Sequence, residues 1–525
     1  YKEDTSLYGT IKKRAKTDTT YLALYEGEGA NTYANPVYYY KEDVKNNNVL
    51  FGGFCWKIVR TTETGGVKIV YNGVQKDFYE STLLNESEYK NLGNDANYPY
   101  TFDSTNKTWT STNTGTNSST ITFTAPSNGN YVLNYDLSMY NSTSNVYVEI
   151  FKDDVSQGKF TGVTYGQIIF DDLDATNTIK VVFTRKYGYN SNSRNNVIFS
   201  FGKANSIIKT CNNTGTDSQI GTSAFNRSYN SPAYVGYMHN TVYTYSKKAM
   251  SSQSNIVFGN SFNYNSNNGT YTLTNTKTVA TWSSGYNTIN NNHYTCMTTG
   301  TTCTSLYYVY YTNSTDAYYI TLTNGKSVND ALNEMLYAND VNTNDSTIKN
   351  YIDKWYINNL KSFEDKLEDT IFCNDRKISD LGGWNPNGGS ITSNAITFNV
   401  DGGTSLKCEN KNDRFTVEST NGNGALIYPV GLLTQSEMIL ANFGSSSYLN
   451  NKQNILLITP ALFSVQKNIS DTYVGCSSVG CSSSGFCTVK RSFSVRPVIS
   501  LKPNTYFSSG DGSFTNPFVI GDVVE

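Results

Sequence analysis

The sequence predicts a mainly β protein, an α+β main domain interrupted by an inserted antiparallel β-sandwich. Three observations carry this. Near the C-terminus, Ser492–Leu501 alternates apolar Phe493, Val495, Ile499 and Leu501 with Ser494, Arg496 and Ser500, the period of a half-buried strand. Far earlier, Phe54–Arg60 alternates in the same way, turns through Glu63-Thr64-Gly65-Gly66 and returns as Val67–Tyr71. Adjacent glycines supply the positive φ a tight hairpin needs. Between these segments, residues 98–205 hold β-forming runs separated by turn residues at sandwich spacing. The expectation is that the early hairpin and the late strand share one sheet, with Pro497 confining the latter to an edge or a bulge.

Taken in order, residues 1–35 form an N-terminal helical or extended segment, in which Thr5 or Ser6 caps a short helix carrying a solvated Lys12-Lys13-Arg14 face. Residues 36–97 open the main domain, and 206–525 resume it. The inserted sandwich, 98–205, has strands over 121–124, 130–135, 145–151, 167–170, 178–183 and 197–201. Asp171, Asp172 and Asp174, with Asn177, are oxygen ligands of the type Ca²⁺ takes. They lack the glycine and terminal glutamate of an EF-hand loop, so a polar inter-strand turn is the favoured reading and no cofactor is assigned. Tyrosine-rich strands fill 231–325. Helical patterning then appears at Val328, Leu332, Met335 and Leu336, at Ile348, Ile352, Trp355, Tyr356 and Leu360, and over Phe363–Phe372. The carboxylates Glu364, Asp365, Glu368 and Asp369 read as a solvated ion-pair face beside Lys361, Lys366 and Arg376. Tyr428–Leu433 is a short buried strand, and Thr434-Gln435-Ser436-Glu437 is a capping box opening a helix through Met438–Ala441.

Composition narrows the function. A net charge of -2 with only 16% charged residues argues against nucleic acid as partner. The 42 tyrosines, on a background of Asn, Ser, Thr and Gly, suit secreted β-rich surface proteins, either as recognition groups or as cover for sheet faces. No run of 18 apolar residues marks a transmembrane segment, and a start at Tyr1 reads as a processed form. The 9 cysteines with only 2 histidines suggest disulfides in an oxidising compartment rather than zinc. Cys296/Cys303 and Cys476/Cys481/Cys487 are close in sequence, Cys373 and Cys408 bracket a large turn, and Cys55 and Cys211 flank the insertion. An odd count leaves one thiol over. Neither His239 nor His293 has a carboxylate near it in sequence, so both read as structural.

Three stretches carry a family resemblance: Phe54-Cys55-Trp56-Lys57-Ile58-Val59-Arg60, Gly431-Leu432-Leu433-Thr434 with Glu437, and Val495-Arg496-Pro497-Val498-Ile499-Ser500-Leu501. Together with Asp345–Lys349, Leu367–Arg376 and Asn410–Phe415 they resemble a group of uncharacterised bacterial secreted or cell-surface proteins, similar to the C-type-lectin-like and formylglycine-generating-enzyme-like fold. The resemblance covers roughly 36–80 and 206–520. It implies that Trp56 and the Arg496-Pro497 strand close one sheet. It also implies a ligand face on the loops at 443–455 and 462–491, with Tyr448, Asn450, Tyr473, Lys490 and Arg491 as contact candidates. Ala125–Tyr131 resembles the opening of jelly-roll carbohydrate-binding modules. The Glu-Pro-Asn and Trp-Asn-Asp triplets of calcium-dependent lectins and the paired active-site cysteines of the formylglycine-generating enzymes are missing from this sequence. No nucleophile elbow or metal-binding histidine motif stands out, and no catalytic residue is assigned.

The expected function is therefore that of an extracellular bacterial adhesion or ligand-binding protein, secreted or surface-attached, that recognises a surface protein or glycan. The alternative is a self-assembling subunit of an extracellular filament, sheath or surface layer, a homo-oligomer built on β-rich modules and an odd cysteine.

Overall fold

A computed structural model describes residues 4–27, 35–111, 118–138, 146–161, 164–185, 196–211, 213, 215–227, 232–239, 246–289, 293–328, 330–331, 342–377, 384–385, 390–392, 404–442, 447–451, 453–466, 469–477 and 485–521. The protein is mainly β. The chain divides into two compact units, one of Tyr1–Val74, Gly215–Ser513 and Pro517–Glu525, the other of Gln75–Thr214 with Phe514–Asn516.

In the larger unit the distant segments do meet. Phe54–Thr61 pairs antiparallel with Val67–Val74, and Val67–Val74 pairs on its other side with Val498–Leu501, in the register Val498↔Val70 and Leu501↔Val67. Gly65 takes φ 93 at the hairpin turn, and a Cβ on Gly66 would overlap the Leu501 carbonyl. Asn48–Phe51 and Tyr38–Tyr40 line the other edge of Phe54–Thr61, and Phe518–Val519 adds in parallel to Asn48–Phe51.

Trp56, wholly buried, donates from Nε1 to the Phe51 carbonyl at 3.0 Å. Its ring meets Tyr71 edge-on at 5.6 Å and Trp355 at 6.3 Å. Trp355 belongs to the helix Thr347–Asn359, capped by Ser346, whose hydroxyl accepts from Lys349 N at 3.2 Å. The stripe Ile348, Ile352 and Tyr356 is buried as its periodicity predicts.

Several expectations need correction. Ser492–Leu501 is not one strand. Ser492–Ser494 pairs with Thr222–Ala224 in a second sheet, and the chain changes sheets at Val495–Pro497 before Val498–Leu501 joins the first. Pro497, which has no N–H to give, sits at that changeover and accepts from Tyr71 N at 2.8 Å.

The described residues of the N-terminal segment pack on the main core. Leu7 and Ile11 of the helix Leu7–Arg14 are fully buried in the main core, and Leu22–Leu24 pairs with Tyr38–Tyr40. Phe363–Phe372 is not a helix. Lys361–Lys366 forms a 3₁₀ turn, after which Glu368 N donates to Ser500 O at 2.8 Å and Leu367 bridges Leu501. Pairing with the late strand draws the chain out of helical geometry. At the start of the helix expected from Val328, the Ser327 hydroxyl accepts from Asp330 N at 3.1 Å and the Asp330 carboxylate accepts from Ser327 N at 2.9 Å, while Leu332, Met335 and Leu336 lie outside the described residues.

Beside the two-stranded pairs Met238–His239/Asn344–Asp345 and Phe372–Cys373/Arg414–Phe415, the unit has two further large sheets among the described residues. One joins Ile455–Gln466, Ile469–Ser477, Gly485–Thr488, Ser492–Ser494, Thr222–Ala224, Ser390–Thr392 and Trp384–Asn385; the other is built on the hairpin Ser254–Asn265/Thr270–Thr281. Tyrosines serve the interior heavily. Tyr40, Tyr237, Tyr271, Tyr310 and Tyr356 are among the largest fully buried side chains.

The smaller unit has two antiparallel sheets around a core of Ile121, Phe123, Tyr131, Leu133, Val181 and Phe201, among others. One sheet runs Val155–Phe160, Val146–Lys152, Thr178–Arg185, Ser118–Thr124, Lys90–Asn94; the other holds Thr164–Leu173, Gly129–Ser138, Asn196–Thr210, Thr108–Ser111 and Tyr100–Asp103. It extends beyond the expected 98–205, because Lys76–Leu83 pairs with the long strand Asn196–Thr210 and Lys90–Asn94 pairs with Ser118–Thr124. Those flanking segments are polar and carry no strong apolar alternation.

Candidate functional site

Period-2 geometry places Lys68, Val70 and Asn72 on one face of Val67–Val74. Register then brings Lys57 beside Val70, Arg60 beside Lys68 and Val498 on the far side of Val70. Arg496, two residues before Val498, extends the same face. This face of a buried sheet therefore carries Lys57, Arg60, Lys68 and Arg496. Unpaired charge in such a setting costs several kcal/mol, so the position of every counter-charge matters.

Glu437 is the main one. Its backbone N–H donates to Thr434 Oγ1 at 3.2 Å, and its Oε2 accepts from Thr434 N at 3.0 Å, the capping box expected at this helix start. Its other oxygen, Oε1, accepts from Arg60 Nε at 2.9 Å and from Lys68 Nζ at 2.6 Å. Burial pushes the Glu437 carboxyl up, but Lys68 and Arg60 outweigh it and hold it at about 2. Burial lowers the Lys68 amine in spite of Glu437, because it shares that single oxygen with Arg60. At the rim, Glu63 lies 3.7 Å from Arg60, and Glu368 accepts from Thr62 Oγ1 at 3.0 Å and from Thr64. Burial raises the Glu368 carboxyl.

Arg496 is held differently. Its Nε donates to Tyr71 O at 2.8 Å, Nη1 to Leu449 O at 2.9 Å and Nη2 to Asn72 Oδ1 at 3.0 Å, all of them neutral acceptors. Burial lowers its guanidinium to about 10. These bonds tie the base of Ser447–Asn451 to the sheet, and Asn451 Nδ2 adds a bond to Ser218 Oγ at 2.9 Å. The arrangement offers buried charge, rigid loop anchorage and hydrogen-bond donors.

The predicted contact residues scatter. Tyr448 is buried, its hydroxyl turned away from solvent, and so presents no contact surface. Asn450 is half-buried, while Lys490 and Arg491 are exposed at the turn after Gly485–Thr488. Tyr473 lies on Ile469–Ser477, its side chain outside the described residues, as are the loop positions 443–446 and 478–484. Asp171, Asp172 and Asp174 are exposed, and Asp174 accepts from Thr176 N and Oγ1 as a turn-former. Among the described residues no group of three or more His, Cys, Asp or Glu could hold a metal.

Disulfides join Cys296 to Cys303 and Cys373 to Cys408, and Cys55, Cys211 and Cys487 are each disulfide-bonded. Cys476 lies on Ile469–Ser477, and Cys481 falls outside the described residues. No helix among the described residues is long and apolar enough to cross a membrane.

Sequence reasoning missed the charged face. The only trace of it in the sequence is that Lys57, Lys68 and Arg496 interrupt otherwise apolar stretches, at positions that alternation also allows to face solvent.

No family model matches the chain, and no curated protein matches it. Among solved structures it is similar to the secreted serine protease VesC from Vibrio cholerae, at 12% identity and TM-score 0.19 over 36% of this chain, which spans 47% of that protease. A carbohydrate-binding module of family 29 aligns at 10% identity and TM-score 0.16, over 26% of this chain and 89% of the module. The structure of FLHE aligns at 12% identity and TM-score 0.12, over 25% of this chain and 97% of its own.

Proposed function

We propose that this chain is an extracellular binding protein, surface-attached or secreted, which recognises a protein or glycan through loops raised on a C-type-lectin-like main domain, and that it is not an enzyme. The observation that carries the reading is loop anchorage. Arg496 and Asn451 pin the base of Ser447–Asn451 to buried partners, while exposed Lys490 and Arg491 sit on a turn closed by the Arg491 N to Thr488 O bond at 3.2 Å. Polar loops on a rigid, buried scaffold are the usual setting of binding sites, since little ordering entropy remains to be lost on association. Disulfide-bonded cysteines on a mainly β framework support an oxidising, extracellular setting.

The test is a glycan array and a surface-protein binding screen with the full chain and with a Lys490→Ala/Arg491→Ala variant. Binding that is lost in a variant with an unchanged unfolding midpoint supports the reading. Binding that survives both substitutions removes these loops from the contact face.

A further inference from the structure

The charged face is not balanced at its Arg496 end. The Arg496 guanidinium, 1% exposed, donates to two carbonyls and an amide oxygen, and among the described residues the second N–H of each terminal nitrogen has no acceptor. Tyr448 immediately precedes the Leu449 carbonyl that Arg496 grips, and its buried hydroxyl has no hydrogen-bond partner. Lys57 lies on the same face two strands away and is half-buried. It has no hydrogen-bond or ion-pair partner among the described residues.

The nearby acids are engaged elsewhere. Glu437 is occupied by Arg60 and Lys68, and Asp43 pairs with Lys45 at 2.7 Å. Unmatched donors thus lie on three side chains at this end of the face, two of them cationic, and among the described residues no carboxylate pairs with them. Buried polar groups left so are costly, and an anion would satisfy them together.

We propose that Lys57, Arg496 and Tyr448 bind one small inorganic anion of halide type. The guanidinium and ammonium supply charge, and the tyrosine hydroxyl supplies a directed donor that fixes the ion between them. The electrostatics agree. Burial, and next to it the Arg496 charge, lower the Lys57 amine to about 7, so a bound anion restores the proton that Arg496 disfavours. Besides Arg496, the charged groups acting on Lys57 are Lys45, which lowers the amine, and Asp43, which raises it.

Bromide is the probe. Crystals of the full chain grown at pH 6 in sodium bromide should show anomalous density within hydrogen-bonding reach of Lys57 Nζ and Tyr448 Oη. In solution at the same pH, replacing a bulky sulfonate by bromide at constant ionic strength should raise the unfolding midpoint saturably. The rise should be lost in Tyr448→Phe and weakened at pH 9. Bromide peaks confined to other places, or a midpoint rise identical in Tyr448→Phe, overturn the proposal. The diffraction experiment needs no variant, so poor folding of a substituted chain leaves it decidable.

Discussion

Glu437→Gln is the sharpest perturbation of the main unit. The amide keeps the volume and can still receive Thr434 N, so the helix cap survives. What disappears is the negative charge that two buried cations share. Lys68, its side chain 1% exposed, loses the acceptor at 2.6 Å, while Arg60 keeps Glu63 at 3.7 Å and the Thr61 carbonyl at 3.1 Å. Removing one partner of a buried ion pair costs about 3–5 kcal/mol.

The pH dependence supplies an independent estimate. The Glu437 carboxyl falls from 4.5 to about 2 on folding. Such a shift contributes roughly 3 kcal/mol, present above the unfolded value near 4.5 and lost as pH drops towards 2. Wild type should therefore lose that stability across this acid window, and Glu437→Gln should show a flatter profile there. In the variant the unpaired Lys68 binds its proton more weakly folded than unfolded, so stability should partly recover as pH rises towards 10. Urea unfolding followed by near-ultraviolet circular dichroism from pH 2 to pH 10 measures all three. A loss under 1 kcal/mol at pH 7 with an unchanged acid limb would refute the hub as a buried, charge-bearing contact.

Asp375 tests the opposite sign. Burial first, then Asp413, raise its carboxyl to about 6, so the folded state holds a proton the unfolded chain releases and stability falls as pH rises from 3.8 to 6. Asp375→Asn should stabilise the protein by about 3 kcal/mol at pH 7 and by nothing at pH 3, read from thermal midpoints. Cys373–Cys408 closes a loop of 35 residues, so Cys408→Ser should cost about 4 kcal/mol in denaturant titration, and an unchanged midpoint would deny the staple its role. Edge strands are blunted by Asn91 at φ 48 with exposed Lys90, and by Asn275 at φ 48 with exposed Lys277. Sedimentation velocity should accordingly show a monomer, and ordered polymers would restore the filament alternative.

What could be read from sequence was the part written in local periodicity. The Trp56 hairpin, the helical stripe Ile348, Ile352 and Tyr356, the Thr434–Glu437 box and the six central sandwich strands follow from periodicity and capping chemistry alone. The Arg496–Pro497 changeover was half legible. Proline announced a break, but alternation continues across it and hides the move from one sheet to the other. Lys361–Lys366 failed because Leu367 and Glu368 gain pairing with Ser500 and Leu501, a tertiary reward that outweighs helical propensity. The charged face was invisible for a related reason. Lys57, Lys68 and Arg496 occupy positions that alternation assigns to the interior or to solvent equally well, and only the arrival of Glu437 and Leu449 decides which.

The two units should differ in how they depend on the chain ends. The main sheet needs Val498–Leu501 against Val67–Val74, a pairing across most of the chain, and Glu437 and Arg496 reach it only when that pairing forms. Its contacts are non-local, so its folding pays loop closure before any of that burial is returned. The sandwich is self-sufficient by comparison. Its core residues all lie between Leu84 and Phe201, and the late residues Phe514–Asn516 add an edge contact, Cys211 N to Phe514 O at 2.8 Å. Residues 75–214 expressed alone should therefore unfold cooperatively, with Trp109 buried and its fluorescence shifted to the red on denaturation. A chain ended before Phe493 should keep that transition and lose the one reporting Trp56 and Trp355. A non-cooperative 75–214 fragment would deny the sandwich its self-sufficiency, and a truncated chain that retains both transitions would show that the late strand does not close the main sheet in the way its register implies.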